Sequence, residues 1–154
     1  MSATDELVVR PARETDLPAI LRLLGQDSMD YFDEPDVVTA RQRSAFAEIT
    51  ADAHQDLLVG ELGGVVVCTA QVTWMRMLSA DGGLYCQVEG VRTDADVRGR
   101  GVGGLLMEGI EAEARRRGAA RIQLTSNRER TRAHGFYERL GYAASHVGMK
   151  KYLT

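Results

Sequence analysis

Cysteine is scarce in this 154-residue chain, with Cys68 and Cys86 its only two. Each lies in an apolar, strand-like run, which speaks against a disulfide scaffold or a zinc cluster and for buried, reduced thiols packed as small apolar side chains. Histidine is also sparse. His54, His134 and His146 are widely spaced, so no metal site is expected. No stretch approaches the roughly 20 uninterrupted apolar residues of a membrane helix. The opening Met-Ser-Ala-Thr-Asp-Glu lacks the basic region and apolar core of a signal peptide. The expectation is a soluble, cytoplasmic protein without membrane association. There is no internal repeat or low-complexity segment, and a 44% hydrophobic content suits one domain, residues 1–154, with a substantial core.

The formal net charge of −3 conceals an asymmetry. Residues 1–91 carry 6 basic and 15 acidic side chains, whereas residues 92–154 carry 13 basic and 7 acidic ones. An anionic ligand favours the second part, and a cationic one is better tolerated near the first. Helices bearing solvated charge would give the same counts, so the motifs must decide. Nucleic-acid binding is not expected, because the basic residues suit a phosphate pocket better than an aromatic-studded stripe and the pI is about 5.6.

Leu7 to Ala12 reads as a first strand, and Asp16 with Leu17, Ile20, Leu21, Leu23 and Leu24 reads as the start and apolar stripe of a helix. An acidic stretch from Asp27 to Asp36 surrounds Tyr31 and Phe32 and precedes a second helix, about 37–53. Leu57–Leu62, the pair Gly63-Gly64 and Val65–Met77 form a hairpin signal, because two glycines supply the positive φ angles of a two-residue turn. From Leu84 to Val91 the chain alternates, with Leu84, Cys86 and Val88 on one face and Tyr85, Gln87, Glu89 and Val91 on the other. A helix at about 101–117, a strand at 121–126, a helix at about 131–140 and a last strand at 149–153 complete the pass. The order predicts a mixed sheet with helices on its faces.

The strongest signal is Arg98-Gly99-Arg100-Gly101-Val102-Gly103-Gly104, which follows a strand and opens a helix. Glycines let the backbone approach a ligand and adopt angles that other residues avoid. N–H groups at a helix start, at the positive end of its dipole, then make a diphosphate site. Ordinary helix starts attract Ser, Thr, Asp or Asn caps, yet arginines stand here, a choice that serves an anion rather than stability. Gly99, Gly101 and Gly104 also satisfy the dinucleotide pattern G-x-G-x-x-G. Its context is wrong: only about 50 residues follow, and no acid stands near position 120 to hold a ribose. No Gly-Lys-Ser or Gly-Lys-Thr follows, which excludes a nucleotide-hydrolase loop.

These residues resemble the GCN5-related N-acetyltransferase (GNAT) superfamily, whose signature Arg/Gln-x-x-Gly-x-Gly/Ala is met by Arg98, Gly101 and Gly103. Glu89-Gly90-Val91 stands where the family's fourth strand ends, and Arg132 to Tyr142 is similar to its late Ala-x-x-Phe-Tyr-x-x-x-Gly-Phe segment. The resemblance implies an α/β (α+β) fold: a mixed, mostly antiparallel sheet of six to seven strands with about four helices, strands 4 and 5 parallel and splayed. It also implies acetyl-CoA as cosubstrate, with pantetheine along strand 4 near Val91. Val91, Arg92, Thr93, the loop Arg98, Gly99, Arg100, Gly101, Val102, Gly103 and Gly104, and Phe136 and Arg139 are the implied cofactor contacts. Many relatives place Asn three residues before the Ala. Arg130 stands there in this chain, so that contact is not carried over.

By this resemblance an amine attacks the thioester directly in a ternary complex. The ammonium must lose a proton and the departing thiolate must gain one. Glu89 is the candidate base, acting directly or through water. It would need burial to raise its pKa, and its competing reading is a sheet-face carboxylate satisfied by a neighbour. Tyr137 resembles the family's general acid, although Ala133, Phe136, Tyr137 and Leu140 also form an apolar helical stripe. His134 reads as a surface or structural residue. Gly135, inside a helix, is accounted for only by close approach to the cofactor. A Cys86 acyl-enzyme is disfavoured because Cys86 points away from Glu89's face. The expected acceptor is a small primary amine, met by an acidic first half and by Tyr31, Phe32 and Tyr85. Protein or peptide N-acetylation and a non-catalytic CoA-binding sensor are the alternatives, and a homodimer is left open.

Overall fold

Alternating strands and amphipathic helices assemble into one five-stranded sheet in a computed structural model that describes residues 6–26 and 37–153. The strands are β1 (Val8–Pro11), β2 (Gln55–Leu62), β3 (Val65–Met77), β4 (Gly83–Thr93) and β5 (Arg121–Leu124), in that spatial order. β1 to β4 pair antiparallel and β5 runs parallel to β4. The helices are α1 (Leu17–Gly25), α2 (Ala40–Ala51), α3 (Val102–Arg116) and α4 (Thr131–Arg139). The chain forms two compact units, Met1–Gln123 and Leu124–Thr154, and each is described by itself.

The sheet has five strands where six to seven are expected, because the run 149–153 is not a strand. A segment becomes a strand only where another edge offers hydrogen-bonding partners. Here Met149, Tyr152 and Leu153 are exposed instead. The expected hairpin is present, with Gly63 and Gly64 at φ +55° and +81° in its turn.

One face of the sheet packs on α1 and α2, where Ala12, Ile20, Leu23, Val59 and Val66 bury against Leu24, Phe46 and Leu57. The other meets α3, whose stripe Val102, Leu106, Met107, Ile110 and Ala114 is buried at helical spacing. Leu106, Met107 and Ile110 are among the largest fully buried side chains, and truncating any of them to alanine costs roughly 2–5 kcal/mol. At the sheet's edge, Asp16 accepts from both Nη atoms of Arg10 at 2.7 and 2.9 Å and from the Arg13 N–H at 2.7 Å. Arg10 donates its Nε to Glu61 at 2.9 Å. This ion cluster ties β1 to β2 and to the turn that leads into α1. The Arg10 guanidinium holds the Asp16 carboxyl below the usual range.

Two left-handed glycines end helices. Gly118 at φ +70° follows α3, with the Gly118 N–H donating to Arg115 and the Ala119 N–H to Ala114. Gly141 at φ +95° follows α4 in the same way, its N–H bonded to Glu138 and that of Tyr142 to Tyr137. Both patterns satisfy last-turn carbonyls that an ordinary residue, strained at such a φ, would leave bare.

Candidate active site

β4 does not alternate to its end. Gln71 pairs with Glu89 and Thr69 with Arg92, so one residue of β3 faces two of β4, Gly90 and Val91. Gly90 adopts φ +61°, the left-handed angle that a glycine-type β-bulge demands. The bulge shifts the phase of the strand. Arg92, through Thr69, returns to the face of Glu89, and the simple alternation that puts Val91 there does not hold past Glu89. A Cβ on Gly90 would lie 3.6 Å from Leu24 of α1, an ordinary contact, so conformation rather than space calls for glycine.

Register places Glu89 on the face that carries Gln71 and Leu57, with Gln87 beside Thr73 and Gln55. Glu89 is exposed, not buried as its use as a base was expected to need, and it accepts a 3.0 Å hydrogen bond from the Gln87 amide. Tyr85 lies two residues before Gln87 and is buried, with the Arg121 guanidinium 3.9 Å over its ring. Tyr31 and Phe32 lie outside the described residues. Cys86 pairs with Trp74 on the opposite phase, fully buried, and burial pushes its thiol up to about 11. Such a thiol supplies almost no thiolate near neutrality.

Beyond the bulge, a series of short bonds leads β4 into the glycine loop. The Asp94 N–H donates to Val67, and the Asp94 carboxylate caps a 3-10 turn at Ala95–Val97 by accepting from the Asp96 N–H. Buried Asp94 also pairs with Arg22 at 3.4 Å, and Gln26 accepts from the Ala95 N–H. Arg98 folds back to donate its Nε to the Thr93 carbonyl at 3.2 Å. The loop is thereby anchored to α1 and to the end of β4.

Gly99 and Gly101 have φ of +78° and +80°, and Gly101 is the N-cap of α3. No side chain caps this helix and no acid stands in its first turn. The first helical bond runs from the Leu105 N–H to the Gly101 carbonyl, leaving the N–H groups of Val102, Gly103 and Gly104 ahead of the ladder. Val102 is buried at 1% exposure and pins the turn, while a Cβ built on Gly99, Gly101 or Gly104 would meet nothing within 4 Å. A first turn of outward amides, open space and two nearby arginines fits a diphosphate.

In the second unit, Tyr137 stacks edge-on with Phe136 at 5.0 Å and with Tyr142 at 5.8 Å. The contact with Tyr142 is the apolar pair that accompanies the Gly141 helix end, so the same cap that stops α4 fixes the Tyr137 ring. His134 is held by the Asn127 carbonyl at 2.8 Å, in keeping with a structural role. A Cβ on Gly135 would lie 3.3 Å from Arg139 Nη1, the end of an exposed and flexible side chain, so local space does not call for glycine there. Sequence reasoning missed the bulge and the partners of Glu89. A lone glycine inside an alternating strand was the available signal for the first.

Among the described residues, no group of three His, Cys, Asp or Glu side chains could hold a metal ion, and no helix is long and apolar enough to cross a membrane. The acetyltransferase (GNAT) family profile matches residues 19–142. No curated protein sequence matches. Among solved structures, a protein from Bacillus halodurans C-125 described as a transcriptional regulator is 34% identical, with a TM-score of 0.88 over 96% of this chain and 99% of that one. A putative acetyltransferase from Agrobacterium tumefaciens str. C58 is 25% identical, with a TM-score of 0.83 over 94% and 99%. Glucosamine-6-phosphate N-acetyltransferase from Arabidopsis thaliana, at 22% identity and a TM-score of 0.80 over 96% and 99%, shares the fold. Glycine loop, bulged fourth strand, parallel fifth strand and family match agree: the chain belongs to the GNAT family and is an acetyl-CoA-dependent N-acetyltransferase.

Proposed function

We propose that this enzyme acetylates a primary amine of a small molecule by direct attack of the amine on acetyl-CoA in a ternary complex. The observation that carries the reading is Glu89, an exposed carboxylate one residue before the Gly90 bulge and on a sheet face lined by amide and hydroxyl side chains. An exposed carboxylate among Gln71, Thr73 and Gln87 suits a cationic, hydrogen-bonding acceptor better than an apolar one. The net −9 of residues 1–91 favours a cation in the same way.

In this reading Glu89, open to solvent rather than buried, takes the ammonium proton, directly or through one water, and leaves the amine lone pair free to attack. Tyr137 gives its hydroxyl proton to the departing sulfur. The amides of Val102, Gly103 and Gly104, with Arg98 and Arg100, bind the diphosphate. Val91, Arg92 and Thr93 lie along the pantetheine arm, Phe136 and Arg139 contact the cofactor, and Tyr85, Tyr31 and Phe32 meet the acceptor. Relatives of the same fold are described as glucosamine-6-phosphate and aminoglycoside acetyltransferases, a likeness of fold only.

The test is thiol release from acetyl-CoA with a panel of ethanolamine, spermidine, glucosamine 6-phosphate, 2-aminoethylphosphonate and a lysine-containing peptide. Turnover of one or more of the small amines is expected. Turnover of the peptide alone would overturn the acceptor class and favour protein N-acetylation.

A further inference from the structure

Four side chains on β4 and β5 form one directed chain that ends on Glu89. The Arg121 Nε donates to the Gln123 side-chain oxygen at 3.0 Å. The Gln123 amide nitrogen donates to the Gln87 side-chain oxygen at 2.8 Å, and the Gln87 amide nitrogen donates to Glu89 Oε1 at 3.0 Å. Chemistry at the two ends sets the direction. A guanidinium can only donate and a carboxylate can only accept, so each amide between them has one orientation that satisfies both neighbours. Both ends demand the same pair of orientations. Arg121 is itself held over the Tyr85 ring, so the first link starts from a fixed group.

We propose that Gln87 and Gln123, oriented by Arg121, are positioning residues that hold the Glu89 carboxylate in the orientation from which it receives the acceptor's proton. The inference rests on the reading of Glu89 as the base. An exposed glutamate on a strand has several rotamers of similar energy, and catalysis requires one. The parallel strand β5 gives the fold a way to select it. Gln123 reaches across from β5 to the strand that carries the base, so the pairing of the two strands and the orientation of Glu89 are coupled by side chains. A polarised run of hydrogen bonds also strengthens its members, the bond to the carboxylate among them.

The test uses the full-length enzyme, acetyl-CoA and whichever panel amine is turned over fastest. Gln123→Leu removes the middle link and keeps most of the bulk. Gln123→Glu keeps the shape but cannot donate, so Gln87 must turn its NH2 toward position 123 and its oxygen toward Glu89. Gln123→Leu removes the amide–amide bond that fixes Gln87 and leaves that amide free to turn; a hydrogen bond of this kind corresponds to about 10-fold in rate, so kcat should fall by up to about that factor. It should fall further in Gln123→Glu, with coenzyme A affinity unchanged in both. In a Glu89→Gln background both substitutions should have little further effect, because the group they orient is gone. Equal losses in the two backgrounds, or a Gln123→Glu enzyme as active as Gln123→Leu, would overturn the proposal, as would full activity in both single variants when Glu89→Gln is impaired. A fully active Glu89→Gln enzyme would instead overturn the base assignment on which the proposal stands. Should Gln123→Leu fail to fold, the comparison of Gln123→Glu with wild type in the two backgrounds decides by itself.

Discussion

Replacing Gly104 by alanine separates what the glycine loop does for the fold from what it does for the cosubstrate. Gly104 is the third residue of α3, its φ is not in the left-handed region, and a Cβ there would meet no atom within 4 Å. The fold therefore loses nothing, and an alanine should stabilise the helix by about 0.5–1 kcal/mol through the entropy of the unfolded chain. For a protein of this size that is a rise in Tm of roughly 1–4 °C. Ligand binding should move the other way. A methyl group in the space that a diphosphate enters holds the anion away from the Gly103 and Gly104 amides. Loss of one hydrogen bond to a charged group is about 1.5–3 kcal/mol, so the Kd for coenzyme A should rise by about 10- to 150-fold. The assay pairs a thermal melt of the free protein with a calorimetric titration by coenzyme A. A variant that is more stable and binds coenzyme A as tightly as wild type would refute the assignment of these amides to the diphosphate. A variant of lower stability would refute the claim that the glycine is dispensable to the fold.

Four further outcomes follow from the geometry. Glu89→Gln and Tyr137→Phe should each lower kcat by about 10²- to 10⁴-fold, the usual scale of general acid–base catalysis, with coenzyme A affinity nearly intact, and wild-type turnover in both would refute the assigned roles. Asp16→Asn should destabilise the protein by about 1.5–3 kcal/mol in a urea titration, because half-buried Arg10 exchanges a charged partner for a neutral one while keeping Glu61. The same pair predicts acid sensitivity: Arg10 lowers the folded-state pKa of Asp16, so its contribution is complete above the ordinary carboxylate range and is lost as pH falls through the depressed value, an effect that should vanish in Asp16→Asn. Cys68 and Cys86 are fully buried with thiols pushed up to about 11, so both should react with an aromatic disulfide reagent only after unfolding, and fast native-state labelling of either would contradict the packing.

Much of this protein is legible along the chain because its signals are local. The Gly63-Gly64 hairpin, the α3 stripe from Val102 to Ala114 and the glycine–arginine run 98–104 each depend on residues close in sequence. The physics that reads them, turn angles, helical periodicity and unpaired amides at a helix start, acts over the same short range. The run 149–153 shows where that stops. It is expected as a last strand, but pairing depends on a neighbouring edge that local sequence does not describe.

Tertiary structure decided the surroundings of the candidate base. Glu89 could be assigned to a face by counting, but the Gly90 bulge, visible only once β3 and β4 are paired, resets which residues beyond it share that face. Its partner Gln87 comes from 2 positions away on β4, and the residue that holds Gln87, Gln123, comes across the parallel pairing from β5, 36 residues after Gln87 in sequence. The Arg10, Asp16 and Glu61 cluster joins three segments in the same manner. The family, the glycine–arginine run and most of the elements were legible in the sequence, because those rest on short-range stereochemistry. Folding alone determined which polar side chains meet across strands, because hydrogen bonds between distant residues depend on register, and register is a property of the assembled sheet.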